Sequence, residues 1–222
     1  MILRFTVLLC LATVSAAPFA KEAVSAQEIR RHAHGGYSEL MQLATLPMKE
    51  LLERGRQAEQ ENQKHPPAFH KTGEITFRDG STGAEKAKTD VEIPMTFSHF
   101  MRGLMYRKSM EKDQSMLFRW AGNGRRSFWM ENTFVPLDII YADRDGVIVS
   151  IKQANALDTR GVPSSQDAAS AIEVNQGWSR ANGVTVGDTV KWDVPSDTGF
   201  VAMDIQDFGA NEDEVRSAIL EG

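Results

Sequence analysis

The hydrophobic positions of this chain change period along its length, and the changes mark its parts. From Lys21 to Lys64 the sequence is polar and rich in Glu, Gln, Arg and Ala. Tyr37, Leu40, Met41 and Leu43 approximate helical spacing, Thr45 and Pro47 break it, and Met48, Leu51 and Leu52 begin a second stripe that fades into Gln and Glu. One or two amphipathic helices are predicted, ended by His65-Pro66-Pro67, because proline removes a donor and biases the preceding residue away from helix. Beyond that point the period falls to two. Glu74-Ile75-Thr76-Phe77 and Thr89-Asp90-Val91-Glu92-Ile93 alternate around Asp79-Gly80 and Gly83, as two paired strands would. Thr96 to Tyr106 returns to helical spacing, with Phe97, Phe100, Met101 and Leu104 on one side. Further strands are predicted over 115–120, 127–130, 137–142, 147–153, 171–175 and 189–192, with Asp145-Gly146, Asn182-Gly183 and Gly187-Asp188 as turns.

Many short strands with few helices predict a mainly β domain, a sandwich or a barrel. Beyond Pro195, Val201, Met203 and Ile205 alternate as an added strand would. Asn211 with Glu214 reads as a capping box opening a helix with Val215, Ala218 and Ile219. The expected division is residues 1–16 as a signal peptide, 17–71 as a helical extension, 72–195 as the β domain and 196–222 as a C-terminal addition.

Short motifs recur in a set order: Gly103-Leu104-Met105 with Arg107, Met116-Leu117-Phe118, Phe128-Trp129-Met130 with Asn132-Thr133, Pro136-Leu137-Asp138, Ala171-Ile172-Glu173-Val174-Asn175 with Gly177, and Gly187-Asp188. In this order they resemble domain-of-unknown-function family 192 (DUF192), also catalogued as uncharacterised protein family 0127. The resemblance runs from about Thr72 to Asp193. It implies an antiparallel, jelly-roll-like β-sandwich with one or two short helices, and no activity, because none is established for the family.

Composition narrows the setting. Arg4 followed by the apolar run Phe5 to Val14, with Val14-Ser15-Ala16, reads as a secretory signal cleaved after Ala16. The run is too short to span a bilayer. Leu9 before Cys10 argues against a lipidation site, and cleavage removes the single cysteine, leaving no disulfide, thiolate nucleophile or cysteine metal ligand. No later segment reads as a membrane span, so a soluble, exported chain, periplasmic or extracellular, is expected. The net charge of −5 argues against nucleic acid as a general partner. Arg102, Arg107, Lys108, Lys112, Arg119, Arg125 and Arg126 nevertheless crowd one stretch, as a solvated surface or an anion-binding patch.

Asp138 stands alone among apolar residues, and an ionised carboxylate in such a place needs a partner or a function. Desolvated, it is a candidate acid or base; facing Arg102 or Arg107, it would orient a guanidinium; bonded to backbone N–H groups, it would only fix a loop. Trp129, Asn132 and Thr133 are candidate pocket residues, an indole face beside two hydrogen-bonding side chains. Met95, Met101, Met105, Met110 and Met116 invite a Cu(I) reading but also suit a core, and the histidines lack the carboxylate or cysteine framework of a metal site. No cofactor is therefore expected. Ser109 to Lys112 and Lys71-Thr72-Gly73 mimic serine-hydrolase strings but run in the wrong order. His99 reads as a helix-surface residue. The leading expectation is a non-catalytic envelope binding module for an anionic or carbohydrate-like ligand, held by Arg102, Arg107, Trp129, Asn132, Thr133 and Asp138. The alternatives are a hydrolase using Asp138 and a scaffold whose terminal extensions dock an envelope protein.

Overall fold

The computed structural model describes residues 46–194, 199, 201 and 202; the expected signal segment, the helix carrying Tyr37 to Leu43 and the helix after Asn211 lie outside them. Helix α1 (Met48–Lys64) ends where His65 N–H donates to Glu61 O (2.8 Å), directly before Pro66 and Pro67. Most of its described side chains are exposed, as its polar sequence dictates. Strands β1 (Gly73–Arg78) and β2 (Glu85–Glu92) form the expected antiparallel hairpin. Helix α2 (Phe97–Arg102) is shorter than its apolar spacing predicts. Thr96 caps it by accepting from His99 N–H, and Gly103 stops it at φ 53°, in the left-handed region that a glycine tolerates.

The remaining elements are β3 (Gln114–Gly124), β4 (Ser127–Phe128), β5 (Leu137–Ala142), β6 (Ile148–Ala154), β7 (Val162–Pro163), β8 (Ala168–Asn175), a one-turn helix α3 (Trp178–Ala181), β9 (Thr189–Asp193) and β10 (Val201–Ala202). Eight strands make one sheet in the order β6-β5-β8-β3-β2-β1-β9, with β10 beside β3. The mainly β expectation holds, but the antiparallel jelly-roll sandwich is not confirmed: the large sheet is open, and it is mixed rather than antiparallel. β2 runs parallel to β3 through Asp90–Glu92, and β10 runs parallel to β3 at Arg119 and Trp120. The two outer strands approach each other at a Val147–Thr189 bridge, where Ile148 N–H donates to Asp188 O (2.8 Å) and Gly187 N–H to Ile148 O (2.9 Å). A separate ribbon pairs β4 with β7.

Both faces of the sheet are covered. Ile75, Phe77, Val91, Leu117, Ile140, Ile172 and Trp178 pack on one face, and Leu104, Met116, Phe118, Met130, Ile139, Tyr141 and Ala171 on the other. Alternate residues of β3, β5 and β8 therefore enter different cores, which is why these strands read as almost unbroken apolar runs. A charged side chain on either face of these strands is carried out of water. Asp138 and Glu173 are buried in this way, and Arg107 in the loop after α2 and Glu92 at the end of β2 are buried too.

Candidate functional site

Asp138 shares the first face with Ile140. Its Oδ1 accepts from Gly177 N–H and its Oδ2 from Ser179 N–H, both at 3.0 Å. Gly177 reaches the required geometry at φ 85°. The carboxylate thus holds the start of α3, and α3 delivers Trp178 into the first core, against Phe77 at 4.9 Å between ring centroids. The Trp178 indole donates to Asp113 (3.0 Å). Charge-assisted bonds of this kind contribute about 1.5–3 kcal/mol each. Both oxygens are engaged by the backbone, an arrangement that anchors a turn, and the side chain is buried. Asp188, of the Gly187-Asp188 motif, plays a similar part: it accepts from Lys86 (2.8 Å) and from the N–H groups of Gly80 and Thr185.

The second face carries a different arrangement. Arg107 Nη2 donates to both oxygens of Glu92, at 2.8 and 2.7 Å, with both side chains only 3% exposed. His70 N–H donates to Glu92 Oε2 (3.0 Å), which pins the chain leaving Pro66-Pro67 over the pair. His99 Nε2 lies 3.1 Å from Glu92 Oε1, close but not aligned as a hydrogen bond, while its Nδ1 accepts from Met95 N–H (3.4 Å). Burial pushes the Glu92 carboxyl upward, but His99, the His70 N–H and Arg107 together hold it below its ordinary value. Arg102, at the end of α2, is pushed down by burial and then by Arg107. Glu173 completes the group. Between Ile172 and Val174 of the first core, it faces the second, and burial pushes its carboxyl up to about 8 against the opposing charge of Arg107.

This cluster is incomplete in hydrogen bonds. Arg107 Nε and Nη1 and Arg102 Nε are shut off from water and have no partner among the described residues. Buried donors left so cost about 1–3 kcal/mol each. A cleft of about 280 Å³, lined by Pro66, Phe69, Arg107, Lys108, Ser109 and Gln114 among others, opens beside Arg107.

The sequence-predicted residues divide among several places. Arg102 and Arg107 come together here. Asn132 lies one step away: its Nδ2 donates to Tyr106 Oη (3.0 Å), and its O accepts from Tyr106 N–H (2.8 Å). Both residues adopt positive φ (52° and 67°), a strained pairing that locks the arginine loop to the loop after Trp129. Thr133 is buried, its hydroxyl donating to Glu131 O. Trp129 stands elsewhere, 39% exposed, on a stretch bonded to residues 157 and 158 through Met130 N–H to Asp158 O and Leu157 N–H to Thr133 O. Nor is the basic stretch one surface. Arg126 is buried, donating to Ala168 O and Gly122 O and lying 4.7 Å over the Trp120 ring. Met116 fills the core and Met95 is exposed, so the methionines do not converge as copper ligands would. Among the described residues no His, Asp and Glu side chains gather as a metal site, and no helix is long and apolar enough to cross a membrane. Glu173, missed as a site residue, carried the same signal as Asp138, an acidic side chain inside an apolar strand, whereas Glu92 ends a strand of alternating polar and apolar residues.

The sequence matches the DUF192 family, described as "Uncharacterized ACR", over residues 80–192. A solved structure from Sinorhizobium meliloti 1021, of a protein described as a candidate transcription regulator, is 28% identical; the match covers 57% of this chain and 98% of that one, with a TM-score of 0.52. Another, of a protein of unknown function from Novosphingobium aromaticivorans DSM 12444, is 26% identical over 60% of this chain and 96% of that one, with a TM-score of 0.50. No curated protein matches. The family span holds Arg107, Asp138 and Glu173, and both structures align along almost their whole length. The chain belongs to the DUF192 family.

Proposed function

We propose that this protein is an exported, non-catalytic binding module for a small anionic molecule, with its site at Arg107 and Arg102. One observation carries the reading: two buried guanidinium donors of Arg107 lack partners among the described residues beside an open cleft that Arg107 lines, and the nearby Arg102 Nε lacks one as well. Guanidinium groups suit carboxylate and phosphate oxygens, and a ligand that supplies them removes the cost of the unpaired donors. Asp138 takes no part, because its oxygens are held by Gly177 and Ser179; the hydrolase alternative loses its acid or base with it. The carbohydrate-like alternative loses the Trp129 indole, which does not line that cleft. The candidate regulator among the similar structures suggests nucleic acid, which a net charge of −5 disfavours.

Export rests on Arg4, the apolar run Phe5 to Val14 and the small residues Val14-Ser15-Ala16. N-terminal sequencing of protein from the cell envelope tests it, with Ala17 as the expected first residue. Thermal shift with acetate, glucuronate and phosphate at low salt tests binding. A bound anion at a hundredfold excess over its Kd stabilises the native state by about 2.7 kcal/mol, and Arg107→Ala or Arg102→Gln should abolish the gain. A shift that survives both substitutions would move the site elsewhere. A second reading, docking of a partner protein, draws on the exposed Trp129, Phe134 and Leu157. Under the anion reading, replacing Trp129 and Phe134 by alanine leaves the ligand-induced shift unchanged.

A further inference from the structure

We infer that the cleft beside Arg107 takes a small organic acid with an apolar body, its anionic head on the Arg107 guanidinium and its body against residues 66–69. The inference rests on the binding reading above and adds the class of acid and the segment that selects it.

Two stretches of chain line the cleft, and they differ in chemistry. Pro66, Pro67, Ala68 and Phe69 follow one another without a polar side-chain atom, whereas the second stretch brings Arg107, Ser109 and Gln114. Pro66, Pro67 and Phe69 are half-buried, Ala68 is exposed, and none of the four joins either core. Neither proline has an N–H to donate, and their rings hold the backbone in shape before anything binds. Lys108 and Glu111 are exposed in the same lining, and their opposite charges offset. The charge that an acid meets is therefore that of the buried Arg107, whose Nε and Nη1 have no partner among the described residues. At about 280 Å³ the space lies at the small end of ligand sites, which span roughly 300–1,000 Å³. It suits an acid with one ring or a short branched chain and is too small to bury a nucleotide.

A single carboxylate sets the spacing of the two stretches. Glu92 Oε2 accepts from Arg107 Nη2 (2.7 Å) and from His70 N–H (3.0 Å), directly after Phe69. Thr72 N–H then joins Val91 O (2.8 Å), while at the other end His65 N–H is held by Glu61 O of α1. The apolar stretch is thus anchored on both sides, and the guanidinium is fixed to the same anchor. Arg107 lies inside the family span and residues 66–69 lie before it. The head group is accordingly held by the family domain, and the body of the acid is selected by the extension ahead of it.

The test is calorimetric titration of the full chain at pH 7 and low salt with acetate, benzoate, glucuronate and the neutral control benzyl alcohol. Inorganic phosphate and phenyl phosphate repeat the comparison for the other head group, and the tighter of benzoate and phenyl phosphate names the head. Benzoate should bind at least about tenfold tighter than acetate or glucuronate, because its ring covers apolar surface. Its heat-capacity change should also be the more negative. Phe69→Ser should remove the advantage of the ring and leave acetate affinity unchanged. If that variant does not fold, the wild-type ranking and heat capacities decide. A ring that brings no gain with either head group, or a gain that Phe69→Ser leaves intact, would overturn the inference and leave the binding reading standing. Benzyl alcohol binding as tightly as benzoate, or no binding by any acid, sinks the binding reading and this inference with it.

Discussion

Asp138 and Glu173 lie on neighbouring strands, one pairing step apart, since Asp138 pairs with Val174 and Ile139 with Glu173. Both are nearly closed to water, on opposite faces of one sheet. Asp138 meets two backbone N–H groups held at fixed distance by a turn and a short helix. Glu173 feels the charge of a guanidinium already bonded to another carboxylate, and burial dominates its ionisation. Burial alone therefore does not decide what an acidic side chain does. The deciding factor is whether the fold aims donors at it or leaves it to share a cation.

The largest effect that would sharpen this contrast is one of pH. The folded chain holds the Glu173 proton up to about pH 8, whereas the unfolded chain gives it up near 4.5, so the unfolded state binds fewer protons across that window. Stability from this group is accordingly lost as the pH rises from about 4.5 to 8, at up to about 1.4 kcal/mol per unit. Urea denaturation of the wild type and Glu173→Gln across that range should show the variant gaining several kcal/mol relative to the wild type. Parallel curves would mean that Glu173 is ionised in the native state. Arg107→Ala should follow, at about 3–5 kcal/mol in the same assay, because it strands Glu92 as a buried charge.

Asp138→Ala comes next, with about 3 kcal/mol lost as the N–H groups of Gly177 and Ser179 lose their acceptor. Amide exchange at those two residues should quicken before the rest of the sheet. The comparison breaks if Asp138→Ala keeps its stability but loses anion binding. Smallest is Trp129→Ala, expected within about 0.5 kcal/mol of the wild type, since its side chain is substantially exposed.

The strands were largely legible in the sequence because alternation and apolar runs follow from which face is covered. The expected span of β5, residues 137–142, agrees with the structure to the residue. The β4–β7 ribbon was half legible: Ser127–Phe128 has an aromatic run, whereas Val162–Pro163 has two residues flanked by glycine and serine. Helix α3 was not foreseen, being one turn whose start is capped from 39 residues away. Asp138 was legible as unusual but not in its role, because its donors are distant in the chain. Glu92 alternated correctly with Val91 and Ile93, a pattern that reads as an outward-facing residue. Its burial comes from α2, the arginine loop and the segment around His70, which close over that face.

The fork at β3 has one more consequence. Along its first part β3 is bordered by β2, and at Arg119 and Trp120 the same edge is taken by two residues from near the end of the chain. Eleven residues long and apolar on both faces for much of its length, β3 would otherwise offer open N–H and C=O groups to any passing strand. The short β10 covers that edge at Arg119 and Trp120, so proteolytic loss of the chain after Val194 should be seen first as clumping in light scattering.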